Sequence, residues 1–251
     1  MKEPQHIGRK IISFKEIDST NLEAKRLAAA GAETGTVITA ERQINGRGRL
    51  GRSWASPLND GLYFSIIVKE EISPDAAAQM TVTAGYCVCV ALRALTGLDV
   101  KIKWPNDIIY GSKKLCGILT EMSSQGEKLD YAVIGIGINV SNKAFDEDIS
   151  RKATSLYLES GTEFSKTDVL NAVLKELDKH YADICNGLSD DVIKPYADLC
   201  ATVGRNVKVM RSGAELEGIA TAVNKSGELV INADGSILTV SSGEVTVQGI
   251  Y

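Results

Sequence analysis

The chain has 251 residues, 44% of them hydrophobic, and its 28 Lys and Arg against 32 Asp and Glu leave a formal charge of −4. That length builds one large domain, or a large one with a small appendage, and the acidic balance gives no support to general nucleic-acid affinity, which shows as net basic charge. No run approaches the roughly 18 to 20 apolar residues of a membrane span, and no apolar signal-peptide region opens the chain. The five cysteines are scattered without a Cys-x-x-Cys pair, which argues against a disulfide framework or a zinc site. A cytoplasmic protein with buried thiols, no membrane and no nucleic-acid partner is expected.

Ile11-Ile12-Ser13-Phe14 reads as a short strand, and Asp18-Ser19-Thr20-Asn21-Leu22-Glu23 opens a helix that closes at Gly31, with capping-box spacing from Thr20 to Glu23. Thr36 to Ala40 is a strand leading into a basic loop. After a break at Asn59-Asp60-Gly61, Leu62 to Val68 is strand-like, and Ser73-Pro74-Asp75 caps a long apolar helix from about 74 to 96, closed by Gly97. Val100 to Trp104 alternates as a strand stopped by Pro105. Asp107 to Tyr110 and Lys114 to Met122 form a hairpin around Gly111-Ser112. Tyr131 to Val140 is a buried strand whose glycines mark close backbone approach. A helix runs from about Lys166 to Cys185 and a shorter one near Asp190 to Leu199. From Val203 the texture changes to short β runs: Asn206 to Arg211, Glu215 to Val223, Glu228 to Ile231, Ser236 to Val240 and Glu244 to Gln248. They are separated by Ser212-Gly213, Lys225-Ser226-Gly227, Asp234-Gly235 and Ser242-Gly243, which suggests a small barrel beyond a boundary near 200 to 204.

The basic loop, Gln43-Ile44-Asn45-Gly46-Arg47-Gly48-Arg49-Leu50-Gly51-Arg52-Ser53-Trp54, is too glycine-rich for a helix and too charged for a core strand. It reads as a loop whose amides and guanidinium groups close on a phosphate or carboxylate. Gly46 to Gly51 satisfies G-x-G-x-x-G, but no apolar helix follows as a dinucleotide turn requires. The only two histidines, His6 and His180, are not followed by the Arg-Asp of a kinase catalytic loop. A solvated basic turn is the plain alternative.

In order along the chain, Asp18-Ser19-Thr20-Asn21, Gly46-Arg47-Gly48-Arg49-Leu50-Gly51-Arg52-Ser53-Trp54, Lys103-Trp104-Pro105-Asn106-Asp107, Lys114-Leu115-Cys116-Gly117-Ile118-Leu119 and Gly135-Ile136-Gly137-Ile138-Asn139-Val140 resemble the motifs of bacterial biotin–protein ligases, the biotin–[acetyl-CoA-carboxylase] ligases. Ala153-Thr154-Ser155-Leu156 and the terminal β runs extend the resemblance over essentially the whole chain. Family members that also repress transcription carry a winged helix-turn-helix domain before the catalytic domain. Here the first motif begins at residue 18, so the short, ligase-only class is expected. The resemblance implies an α+β fold: a mixed-sheet catalytic domain of the biotin/lipoate ligase type with flanking helices over 1–202, and a small SH3-like β-barrel over 203–251. It implies ATP-dependent activation of biotin to biotinyl-5′-AMP with release of pyrophosphate. Biotin then passes to a lysine of the biotin carboxyl carrier protein of acetyl-CoA carboxylase or another biotin-dependent carboxylase. Biotin, ATP and Mg²⁺ are the implied small molecules, and a homodimer through the catalytic-domain sheet is compatible with the family.

No catalytic histidine is needed, because biotin's carboxylate is already an anion at neutral pH and the barrier is the approach of two anions, which fixed cations and Mg²⁺ lower. By resemblance, Lys114 and Arg49 supply that charge. Lys114 reaches the biotin carboxylate and α-phosphate, and Arg47, Gly48 and Arg49 close over both ligands. Ser19, Thr20 and Asn21 suit a ureido ring with its one carbonyl and two N–H groups. Gln43 and Gly117 join the biotin side. Arg52 and Trp54 match positions near adenine and phosphates, Lys103 and Asn106 the phosphate end, and Asn139 an adenylate contact. Asp107 is the candidate metal contact, direct or indirect. A lipoate–protein ligase or an octanoyltransferase of the same superfamily is an alternative; the latter would use a cysteine without ATP, and Cys116 is the one cysteine inside a motif, with no neighbouring cue for activation. A module that senses the adenylate without transferring biotin is the remaining alternative.

Overall fold

The computed structural model describes residues 5–58, 60–69, 76–125, 128–211, 214–241, 243 and 245–251. The expected helix cap at Ser73-Pro74-Asp75 lies outside these residues, as do Asn59, Ser212, Gly213, Ser242 and Glu244 of the expected turns and last strand.

Strands β1 (Ile11–Ile17), β2 (Val37–Gln43), β3 (Gly61–Val68), β4 (Lys101–Lys103), β5 (Asp107–Tyr110), β6 (Lys113–Gln125) and β7 (Lys128–Asn139) form a seven-stranded sheet in the order β1-β2-β3-β7-β6-β5-β4. Helix α1 (Thr20–Ala29) crosses between β1 and β2, so these pair in parallel; all other pairs are antiparallel. The further helices are α2 (Ala76–Thr96), α3 (Leu156–Ser160), α4 (Lys166–Lys179), α5 (Tyr181–Asn186) and α6 (Asp190–Leu199). α1 packs on one face of the sheet, and α2 packs on the other with α4, α5 and α6 around it. Cover on both faces explains β3, whose residues are buried throughout. Strand alternation then sorts the side chains. Phe64, Ile66, Ile118, Ile134, Ile136 and Ile138 join the α2 core, whereas Ile67 and Val133 pack on Ala24 and Ala28 of α1. By the same alternation Ser65, Gly117, Leu119, Glu121, Gly135 and Gly137 face α1, and the site is built there.

Several sequence expectations need correction. Ala78–Thr96 is, by length and composition, apolar enough to span a membrane, with 61% of its most apolar stretch buried inside the chain. A helix held between a sheet and other helices has no wet face, so it is apolar almost all round. The expected helix from Lys166 to Cys185 is two helices, because the backbone turns at His180 (φ −103, ψ 24). There Nδ1 lies 3.0 Å from Asp183 Oδ2 and the ring meets Tyr86 edge-on. Burial continues from Leu177 to Ile184, so apolar periodicity gives no sign of the break. The capping box of α1 does not form: Ser19 is the N-cap without a side-chain cap bond, and the Thr20 hydroxyl is engaged in the site. Helix α3 has no apolar repeat to announce it and is started by Ser155, whose Oγ accepts from Leu158 N at 3.1 Å.

Strands β8 (Asn206–Arg211), β9 (Ala214–Val223), β10 (Leu229–Ala233), β11 (Ser236–Val240) and β12 (Val245–Val247) form a separate five-stranded antiparallel sheet in the order β11-β10-β9-β8-β12. Its Val207, Val209, Leu229 and Ile231 continue the core of the larger sheet without a gap. Trp104, 1% exposed, pins the junction: its backbone N donates to Thr202 Oγ1 and its Nε1 to Gly227 O, each at 3.0 Å.

Candidate active site

The N-terminus of α1 enters the sheet where β3, β6 and β7 present small side chains, and Ser19, Thr20 and Asn21 are all buried there. Thr20 donates to Gln43 Oε1 through its backbone N at 2.8 Å and its Oγ1 at 3.1 Å. Ser65 Oγ lies 2.8 Å from Thr20 Oγ1 and 2.6 Å from Asn21 Oδ1. Asn21 Nδ2 in turn donates to Glu121 Oε2 at 2.9 Å and to Leu119 O at 3.3 Å, while Gln43 Nε2 donates to Ser56 Oγ at 2.8 Å. A buried network with its members partnered holds fixed orientations, so this end offers a preset pattern of donors and acceptors. Glu121 also pairs with Lys25 at 2.6 Å and Arg47 at 3.5 Å. Burial raises its carboxyl, but the hydrogen bonds from Lys25 and Asn21 and the charges of Lys25 and Arg47 outweigh burial and hold it below the usual value of 4.5.

The floor of the cleft has no side chains at its centre, because Gly117 of β6 is the register partner of Gly137 of β7. A Cβ at Gly117 would lie 2.8 Å from Trp54 Cζ3, and one at Gly137 2.7 Å from Trp54 Nε1, so the indole rests directly on the paired glycines. That Nε1 is buried without a hydrogen-bond partner among the described residues, a condition indoles seldom keep. The space remaining around the ring is about 50 Å³, room for a few waters. Trp54 arrives on a narrow hairpin: Gly48 N donates to Arg52 O at 2.7 Å and Trp54 N to Gly46 O at 2.8 Å. At its tip Leu50 (φ 56) and Gly51 (φ 75) are both left-handed, a conformation costly for leucine.

Beyond the floor the positive groups converge. Arg49 Nη1 donates to Asn106 Oδ1 at 2.8 Å and Nη2 to Gly243 O at 3.2 Å. Asn106 is itself fixed by Nδ2 donating to Ile118 O at 3.0 Å. Lys114 Nζ is 2.6 Å from Asp107 Oδ1 and 5.2 Å from the Trp54 ring. Lys103 Nζ sits 3.5 Å over the ring of Tyr251, whose hydroxyl donates to Asp107 Oδ2. Each cation is held by a partner that an incoming anion can replace.

The structure thus brings Ser19, Thr20, Asn21, Gln43, Arg47, Gly48, Arg49, Trp54, Asn106, Lys114 and Gly117 to one cavity. Lys103 and Asp107 stand beside it, paired across β4 and β5, with Asp107 tied to Lys114. Arg52 is exposed next to the tip of the hairpin, outside the cavity lining. Asn139 lies further along β7 with Nδ2 donating to Thr154 O at 2.9 Å. Among the described residues no group of three or more His, Cys, Asp or Glu could hold a metal ion. Cys116 is buried in the α2 core, where burial pushes its thiol well up against the smaller pull of Lys114, the reverse of an activated nucleophile. Sequence reasoning missed Ser65, Glu121, Lys25 and Tyr251. The strand period could have placed Ser65 and Glu121 on the site face, but nothing local marks Lys25 or Tyr251.

Residues 13–139 match the family described as Biotin/lipoate A/B protein ligase family. The chain belongs to that family. Residues 202–247 match the Biotin protein ligase C terminal domain. The bifunctional ligase/repressor BirA of Bacillus spizizenii is 30% identical over 95% of this chain and 74% of its own. The biotin–[acetyl-CoA-carboxylase] ligase of Mycobacterium tuberculosis is 28% identical over 94% of this chain and 88% of its own. Among solved structures, the biotin protein ligase from Aquifex aeolicus in complex with biotin and ATP superposes with a TM-score of 0.83 at 30% identity, covering 96% of this chain and 99% of that one.

Proposed function

We propose that this chain is an ATP-dependent biotin–protein ligase that makes biotinyl-5′-AMP and transfers biotin to a lysine of a biotin carboxyl carrier protein. One observation carries the reading. A preset polar network and a group of cations line one cavity on either side of a glycine floor, which suits a ureido ring at one end and a carboxylate meeting a phosphate at the other. The likeness to the Aquifex aeolicus ligase, solved with biotin and ATP, supports the same placement.

In the first step a carboxylate oxygen of biotin bonds to the α-phosphorus of ATP and the bond to pyrophosphate breaks. Lys114 turns from Asp107, and Arg49 from Asn106 and Gly243, onto the anions as charge grows on the phosphoryl oxygens. Interactions that strengthen in this way lower the barrier rather than merely bind. Trp54 leaves the floor to biotin and takes a place beside the adenylate, which also gives its N–H a route to a partner. Arg47 and Gly48 close the hairpin over the mixed anhydride and shield it from water. In the second step the carrier's neutral amine bonds to the acyl carbon, AMP leaves with the bonding pair, and the amine proton passes to solvent. ATP brings Mg²⁺ as its counter-ion, and Asp107 would meet it directly or indirectly. Ser19, Thr20, Asn21, Gln43 and Gly117 belong to biotin, and Lys103, Asn106, Arg52 and Asn139 to the nucleotide.

We further assign 1–202 to the catalytic domain and 203–251 to the terminal β domain, with a homodimer as the assembly. Free buried thiols at all five cysteines fit the reducing cytoplasm. Incubation with ATP, radiolabelled biotin and a carrier domain tests the function. Pyrophosphate release followed by a labelled carrier is expected. Labelling without ATP points to cysteine acyl transfer, and a retained adenylate without labelling points to a sensor; either result sinks the ligase reading.

A further inference from the structure

The terminal β sheet reaches the active site through one side chain that the reaction above does not use. Tyr251 lies 144 residues from Asp107 in sequence, yet its hydroxyl donates to Asp107 Oδ2. The other oxygen of that carboxylate holds Lys114 Nζ at 2.6 Å. The Tyr251 ring carries Lys103 Nζ at 3.5 Å, and Lys103 faces Asp107 across the β4–β5 register. The tyrosine is not loosely attached: its backbone N donates to Ser112 O at 3.0 Å, and the preceding Ile250 is 2% exposed and bridged to Val247. Tyr251, just beyond the small sheet, therefore touches Lys103 directly and reaches Lys114 through the carboxylate of Asp107.

We propose that Tyr251 is a positioning residue for adenylation, acting through Asp107 to place and release Lys114. This rests on the ligase reading above. A carboxylate gripped at one oxygen alone can swing about its side-chain torsions; the hydroxyl at the second oxygen fixes its plane and so fixes where Lys114 waits. The same hydrogen bond draws negative charge toward Oδ2, which loosens Oδ1's hold on Lys114 when a phosphoryl anion competes for the ammonium. Neither Tyr251 nor Asp107 lines the cavity with Thr20, Asn21 and Gln43, so biotin affinity is expected to hold without the contact.

The test is Tyr251→Phe, which keeps the ring under Lys103 and removes only the hydroxyl. Biotin-dependent pyrophosphate release is expected to lose about tenfold in kcat, the low end for one hydrogen bond to a charged group, with KM for biotin held within about twofold. The melting temperature should match the parent's, which separates this from a structural role. In an Asp107→Asn background, read by single-turnover formation of radiolabelled adenylate, the same substitution should change the rate less than about twofold. Full activity of Tyr251→Phe overturns the proposal, and so does an equal loss in both backgrounds. A parent protein that releases no pyrophosphate with biotin counts instead against the ligase reading, whatever Tyr251 does.

Discussion

Replacing Gly135 by alanine isolates the polar end of the site. In an ordinary strand this change is favourable by about 0.5 to 1 kcal/mol, because glycine loses more backbone freedom on folding. Here the added methyl would stand 2.7 Å from Asn21 Cγ and still closer to Asn21 Oδ1, so the amide must leave. It would give up its contacts with Ser65 at 2.6 Å and Leu119 O at 3.3 Å, and its donation to the charged Glu121 at 2.9 Å. A neutral bond is worth about 1 kcal/mol and one to a charge about 2 kcal/mol, so the three together are worth about 4 kcal/mol, and after the entropic gain a net loss of about 3 kcal/mol of stability is expected. Since the displaced amide also belongs to the proposed ureido site, biotin affinity should fall at least about thirtyfold, the equivalent of 2 kcal/mol. Urea unfolding and calorimetric titration with biotin measure the two effects. In an Asn21→Gly background, where the amide that meets the methyl is gone, Gly135→Ala should be neutral or stabilising. An unchanged midpoint and unchanged biotin affinity in the single variant would refute both the packing argument and the assignment of this end to biotin.

Other outcomes follow from the same geometry. Lys114→Ala should lower adenylate formation about a hundredfold, roughly 3 kcal/mol of transition-state stabilisation, while biotin affinity stays within about threefold; pyrophosphate release near the parent rate would remove Lys114 from its role. Arg49→Gly deletes the ties to Asn106 and Gly243 and frees the hairpin backbone, so with ATP, biotin and serum albumin it should biotinylate the bystander more than the parent does. Equal labelling on a blot would show that Arg49 does not retain the intermediate. Glu121 has its folded carboxyl below the usual 4.5, so its contribution is present above that pH and disappears as pH falls through the lower folded value. Glu121→Gln should therefore lower stability at neutral pH and flatten the acid limb of a stability–pH curve; a parallel curve contradicts the sign.

Much of the site was legible because its chemistry is concentrated in short segments. Gly46 to Trp54 stands out by composition alone as a basic, glycine-rich loop, and Lys114 and Gly117 place a cation and a bare backbone within four residues of one strand. Ser65 and Glu121 escaped notice because each is an ordinary strand residue until the sheet is assembled and its face is known. Asn139 and Arg52 fit their motifs, yet in this structure one amide holds Thr154 O and the other side chain lies outside the cavity lining. The Lys166 to Cys185 helix was read as one because apolar spacing runs on through a bend that is set by His180 against Tyr86 and Asp183.

By itself, the sequence determined the strand and helix inventory wherever apolar periodicity was strong, the change of texture near Val203, and the residue types from which the site is made. These are local properties, fixed by backbone preference and spacing over a few residues. Only the tertiary structure decided which face of β3, β6 and β7 the site occupies, that the Trp54 indole rests on Gly117 and Gly137, and that Tyr251 meets Asp107. Those facts depend on β register and on how two sheets dock across Trp104, and a contact between residues 144 apart leaves no trace in the spacing around either one.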